Sequence, residues 1–234
     1  MPKKTNVDIW LTREKVHAHI RKALENASSY FDKNDALTVN TLEAVYAQES
    51  SFGTRLGKRG IKGAAGHFRL QKDTAERYHL QVSKKNDQRF DIDYASITAA
   101  RYLDDLDRSF SKRTILSTNI TTIPIKDASE RKKFILAAYN GGEGTIAKAQ
   151  YFAQKAGKDP TNWNDVQGFL EQAGADDPDQ VRKYVKNVSK NEIEFARKSS
   201  ADKTAKNKKI NGSKGRCTTG HWITKDGLHI FICD

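Results

Sequence analysis

Between residues 53 and 66 a glycine recurs every three or four positions, at 53, 57, 60, 63 and 66, and apolar residues keep helical spacing on both sides. Glycine takes backbone conformations closed to other residues, so this stretch is expected to be a loop whose main chain can approach a ligand closely. Upstream, residues 8–31 set Ile9, Val16, Ile20, Ala23 and Leu24 near a helical period. A second helix is expected from about Asn40 to Glu49, with Leu42, Val45 and Tyr46 inward. Downstream come a short helix over 71–80 and a longer one over Asp93–Phe110. Residues 111–125 are β-branched and Thr-rich and read as an irregular excursion with room for a short strand. Helical pattern resumes at Ser129 and stops at Asn140-Gly141-Gly142. Two further helices are expected over Glu143–Ala156 and from about Pro178 to Arg197, where Pro178 suits a first turn. The body is therefore read as mainly α with Gly-rich connections.

The end of the chain changes character. Residues 197–216 have no apolar period and hold much of the basic excess, so they are read as a basic, flexible, solvated linker. In residues 217–234, HWIT and LHIFI flank Lys-Asp-Gly, a strong hairpin signal. Cys217, His221, His229 and Cys233 bracket that hairpin. A Cys217–Cys233 disulfide is the first reading, because a lone hairpin needs a staple and an oxidising compartment favours one. Zinc held by all four residues is the second reading, and a plain C-terminal cap is the bland one.

The net charge of +12 favours polyanionic partners such as an anionic cell-wall polymer, an acidic membrane surface or nucleic acid. A basic tether without interleaved aromatic residues predicts only weak, salt-sensitive contact with nucleic acid, which is not the expected partner. No apolar run approaches a membrane span, and the first residues, MPKKTNVDIW, lack the apolar core of a secretory signal. A monomer without a cofactor is expected.

Glu49 raises the chemical question. It ends an apolar helical run just before Ser-Ser-Phe-Gly, where the negative end of the helix dipole disfavours a carboxylate. Beside Val45, Tyr46 and Phe52 its pKa should rise, which is what an acid that protonates a departing glycosidic oxygen requires. Most glycosidases add a second carboxylate, and none is evident in the sequence near Glu49. Taken alone, Glu49 would be read as a solvent-facing helix residue.

Three segments join it in order: QESSF, GAAGHFRLQKDTA at 63–75 and AAYNGG at 137–142. Together with DIDYASITAARYLDDL at 91–106 and VRKYVKNV at 181–188, they resemble the catalytic domain of soluble lytic transglycosylases over roughly residues 30–190. The resemblance implies a lysozyme-like (goose-type) helical fold, with a helical segment 1–33 packed on a catalytic domain 34–196. It implies cleavage of the MurNAc-β-1,4-GlcNAc bond of peptidoglycan, with Glu49 as acid and then base. The substrate's own 2-acetamido group would replace the missing carboxylate, and a 1,6-anhydro ring would form without water. It further implies that Ser50, Phe68 and Arg69 contact substrate and that Tyr139 holds the carboxyl or the acetamido group. Asn140 would orient the loop or donate to sugar, and Tyr184 would line the cleft. Action in the periplasm or cell wall follows, by secretion or a phage particle. The hairpin is similar to a short one near the ends of some phage-morphogenesis proteins.

The chain departs from that family where Leu-Met-Gln is usual: here stand His67, Phe68 and Arg69, with Lys72 for the usual Pro. Bland readings stand beside these. Ser50 can end its helix, Asn140 can cap one, Tyr184 can be a core residue, and Asp104, Asp105 and Asp107 read as a solvated helix face. Alternatives from other classes are a goose-type hydrolase and a degenerate cationic module that binds glycan or nucleic acid.

Overall fold

The computed structural model describes residues 5–32, 36–212, 220–225 and 228–233. Two compact units, 1–195 and 196–234, divide the chain. In the first, α1 (Asn6–Val16) opens on a capping box in which Thr5 and Asp8 satisfy each other's main-chain N–H groups. The chain then bends at His17 and continues as α2 (Ala18–Ser28). The sequence period over 8–31 predicts one continuous helix. The break lets two stripes bury against different neighbours: Trp10 stacks on Phe195 at 6.2 Å, while Ala23, Leu24 and Ala27 face inward on α2, which packs on α5 (Ile92–Ser111). Ile9, expected inward, is 44% exposed as a result.

At the centre lies α3 (Val39–Ser50), buried on every side from Thr41 to Ala47, the mark of a helix enclosed by others. A short α4 (Lys72–Arg77) follows the glycine loop, and α5 starts on the side chain of Asp91. The excursion after α5 holds an antiparallel pair, β1 (Ile115–Ser117) and β2 (Ile120–Thr121). Next come α6 (Ala128–Gly141), fully buried from Phe134 to Ala138, α7 (Glu143–Lys155) and the single turn α8 (Trp163–Val166). The last helix, α9 (Pro178–Gly212), starts where the Asp177 carboxylate accepts the Gln180 N–H. Its Glu192 accepts from Thr41 on α3 at 2.6 Å and pairs with Lys132 on α6 at 2.9 Å. Gly141 lets α6 and α9 touch, since a Cβ there would meet Val181 at 2.8 Å.

Two expectations change here. Asp104 and Asp107 are not a solvated face; both are buried, paired with Arg108 and Arg131, because α6 covers that side of α5. Nor does helix stop at Arg197: residues 197–212, read as a flexible linker, continue α9. Their Ala, Lys and Arg are good helix formers, and neither Gly nor Pro intervenes before Gly212, so the missing apolar stripe did not forbid helix.

In the second unit β3 (Gly220–Lys225) pairs antiparallel with β4 (Leu228–Cys233), in the register Lys225 opposite Leu228. This is the hairpin read from the sequence. His221 lies opposite Ile232 and His229 opposite Thr224. Cys217 lies outside the described residues, so both the disulfide and the zinc readings stand as proposals.

Candidate active site

Glu49 sits in the last turn of α3, and the local sequence explains why the chain turns there. Ser51 and Phe52 both adopt left-handed backbone and Gly53 follows at φ +81°, an abrupt stop after the carboxylate. Ser50 helps make that stop. Its hydroxyl donates to the Tyr46 carbonyl at 3.2 Å and accepts the Gly53 N–H at 3.0 Å. Arg13 reaches from α1 to the Ser51 carbonyl at 2.7 Å and braces the turn.

Across from Glu49, the glycine loop is held from beneath by Arg89, which is wholly buried. Its guanidinium donates to the carbonyls of Ile61, Gly63 and Leu70 and pairs with Asp87 at 2.8 Å. Asp87 in turn accepts the Gly60 N–H at 2.8 Å. Gly66 is required for this fit: at φ +80°, a Cβ would lie 2.0 Å from the Arg89 carbonyl oxygen. The loop is therefore a rigid wall despite its glycines. Nothing in the spacing of residues 53–66 announced Arg89, which comes from a 3-10 turn at Gln88–Phe90.

Two hollows meet at Glu49. One, of about 440 Å³, is bordered by Ala64, Arg69, Leu70, Thr74, Tyr102 and Tyr139 among others. The other, of about 450 Å³, is bordered by Gln48, Asp177, Lys183, Tyr184 and Asn187. Glu49, Asn140 and Gln180 border both, so the acid stands where the two join.

Tyr184 on α9 donates its hydroxyl to Glu49 Oε1 at 2.7 Å. Tyr139 on α6 stacks on Tyr184, rings 14° apart with centroids at 6.4 Å, and Tyr102 packs on Tyr139 at 5.3 Å. Burial raises the pKa of both Tyr139 and Tyr184 well above the usual phenol value, so each remains a donor. Burial is also the largest influence on Glu49. It outweighs the Tyr184 hydrogen bond and the positive charge of Arg69, both of which favour the carboxylate, and brings the pKa up to about 7. A carboxyl so placed can hold a proton near neutral pH and yield it to a substrate.

The predicted site residues divide accordingly. Arg69, Tyr139 and Asn140 join Glu49 in the first hollow, and Tyr184 joins it in the second. Tyr184 lines the second hollow as expected and is also the tyrosine that donates to the carboxyl, whereas the Tyr139 hydroxyl donates to the Phe68 carbonyl at 2.9 Å, which leaves its acetamido role as a proposal. Ser50 and Phe68, expected to contact substrate, are each 0% exposed and border neither hollow. The Ser50 hydroxyl is used in the turn, and the Phe68 ring packs on Tyr46 at 5.3 Å because a wholly apolar ring is better placed in the core. Asn140 is not the cap residue: it lies in the last turn of α6, which Gly142 caps, and its side-chain oxygen is buried with no hydrogen-bond partner among the described residues. Tyr102, Gln180 and Asp177 were missed. Tyr102 lies in a segment already noticed at 91–106, and only packing shows which side of that helix meets the cleft.

The comparisons agree with the geometry. A family model described as the transglycosylase SLT domain matches residues 27–163, more than half of the chain. The chain belongs to this family. No curated protein matches it. Membership makes the fold lysozyme-like and the activity, in general terms, that of a glycan-cleaving transglycosylase acting on peptidoglycan. The match ends before α9, so the tyrosine that grips Glu49 lies beyond the matched SLT segment.

Proposed function

We propose that this SLT-family protein cleaves the MurNAc-β-1,4-GlcNAc bond without water and leaves a 1,6-anhydroMurNAc end. The observation that carries the reading is Glu49 itself: a carboxyl with its pKa at about 7, gripped by Tyr184, where two hollows of similar size meet. A glycan strand laid through both hollows would present its bridging oxygen to that carboxyl. Glu49 gives its proton to this oxygen as the C1–O bond breaks. The carbonyl oxygen of the 2-acetamido group bonds to C1 in its place, forming an oxazolinium ring. Glu49, now a carboxylate favoured by Tyr184 and Arg69, takes the proton of the C6 hydroxyl. O6 then bonds to C1, the oxazolinium ring opens, and both the acid and the acetamido group are restored.

Among the described residues, the first hollow is bordered by no carboxylate other than Glu49. Asp177 borders the second, and its carboxylate caps α9. This supports assistance by the substrate rather than by a second protein anion. Asn140, with an amide oxygen that no described residue engages, is suited to accept an N–H or O–H of the sugar. We also assign the protein, as a monomer, to the periplasm or cell wall. The basic segment would add contact with anionic wall polymer, and no helix among the described residues is long and apolar enough to cross a membrane.

Mass spectrometry of digested sacculi tests the reading. Anhydro ends, one water lighter than reducing ends, are expected. Reducing MurNAc ends would instead make the protein a goose-type hydrolase, and absence of any product would leave the degenerate binding module.

A further inference from the structure

The sequence brings two cations to the glycine-loop wall, and the structure treats them differently. Lys72 has Glu76 one helical turn away at 3.6 Å and does not border the cleft. Arg69 borders it, and its guanidinium makes no hydrogen bond or ion pair with any described residue. The buried and half-buried arginines elsewhere are tied to protein oxygens: Arg13 to Ser51, Arg21 to Glu43, Arg89 to the loop, Arg131 to Asp107 and Arg182 to Glu171.

The main chain around Arg69 is built to present it. Arg69 is in the left-handed region at φ +51°, a conformation that is strained for a residue with a side chain and persists only where neighbours enforce it. They do so here, because the Phe68 carbonyl accepts from Tyr139 at 2.9 Å and the Leu70 carbonyl accepts from Arg89 at 3.0 Å. Gly57 leaves room for the guanidinium: a Cβ there would lie 2.8 Å from Arg69 Nη1. The main chain is thus clamped on both sides of a guanidinium that, among the described residues, makes no hydrogen bond or ion pair.

The rest of that hollow's lining is neutral apart from Glu49, which must itself be neutral to begin the reaction. While Glu49 holds its proton, no carboxylate lining that hollow answers the charge of Arg69, and a carboxylate of whatever the cleft binds can do so. Building on the reading of Glu49 as the acid that cuts muramyl linkages, we infer that Arg69 is a specificity-determining residue that takes a carboxylate of the substrate beside the scissile bond. The muramyl unit offers two sources: the lactyl carboxylate on its C3 oxygen when the stem is absent, and the carboxylates of the stem peptide when it is present.

Binding in the Glu49→Gln background separates this proposal from turnover. Titration calorimetry would compare that variant with the Glu49→Gln, Arg69→Gln double variant on three glycan preparations: stem-bearing chains, stem-free chains with the lactyl carboxylate, and stem-free chains with that carboxyl amidated. With Arg69 present, the carboxylate form should bind about tenfold or more tighter than its amide, the scale of one charge-assisted hydrogen bond. In the Arg69→Gln double variant that ratio should fall toward one, and a Glu49→Gln, Arg69→Lys double variant, which keeps the charge, should keep part of it. Loss confined to stem-bearing chains would assign Arg69 to the stem carboxylates. Equal ratios with and without Arg69 on all three preparations would overturn the proposal, as would Arg69→Gln alone moving only the pH profile of cleavage. Failure of wild-type protein to give anhydro ends would sink the mechanism and leave these binding ratios to be judged independently.

Discussion

Helix α3 carries two glutamates whose pKa burial drives upward, and they do opposite things. Glu43 is 0% exposed in the enclosed stretch of the helix. Burial, then the nearby Glu14, raise its pKa to about 8 against the pull of Arg21, whose guanidinium is paired with it. Six residues on, Glu49 has its pKa raised to about 7 by the same force. Glu43 is the more perturbed of the two, yet it borders neither hollow at Glu49 and its neighbours are other side chains of the protein. A raised carboxyl pKa therefore measures loss of water, and chemistry needs in addition a space in which a substrate can stand.

The comparison breaks most sharply in activity. Glu49→Gln should lower the rate of sacculus digestion on the order of 10³-fold, the usual scale for a missing acid–base group, while Glu43→Gln should keep most of it. Equal losses in turbidity assays of the two purified variants would mean that burial, not access, selects the acid.

In stability the order reverses. A carboxyl whose folded pKa is about 8 against an ordinary 4.5 contributes stability in full below about pH 4.5 and loses it as pH rises through about 8. Wild-type stability should thus decline between pH 5 and pH 8.5, and Glu43→Gln should remove on the order of 2 kcal/mol of that decline. Urea denaturation at both pH values checks this, and Glu49→Gln should remove a smaller share.

The pH profile of cleavage sharpens the assignment of the tyrosines. The rate should fall as pH rises through about 7, when Glu49 loses its proton. Tyr184→Phe deletes a hydrogen bond that favours the carboxylate, so the falling limb should move to higher pH and turnover should drop about tenfold. Smallest is Tyr139→Phe, which should leave the limb in place and cost about 1 kcal/mol of stability, through the Phe68 carbonyl it leaves bare. A limb that moved in Tyr139→Phe and not in Tyr184→Phe would restore the role first expected of Tyr139.

Much of this protein is local in origin and so could be read along the chain. Apolar period placed α3, α5, α6 and α7, glycines marked the ends of α3 and α6, and Lys-Asp-Gly between two β-rich runs announced the final hairpin. Glu49 stood out because a carboxyl at the end of an apolar run, in step with later motifs, is anomalous within its own segment. Groups that act through distant partners carried no such mark. Tyr184 meets Glu49 across 135 residues, Arg89 clamps a loop 26 residues before it, and Phe68 and Ser50 are wholly buried. Propensity and period are properties of neighbours in sequence, and they determined the helices and the candidate acid. Which hydroxyl grips that acid, which arginine is left to the substrate, and which glutamate sees the cleft depend on how α3, α6, α9 and the glycine loop pack. Only the folded chain brings those side chains together.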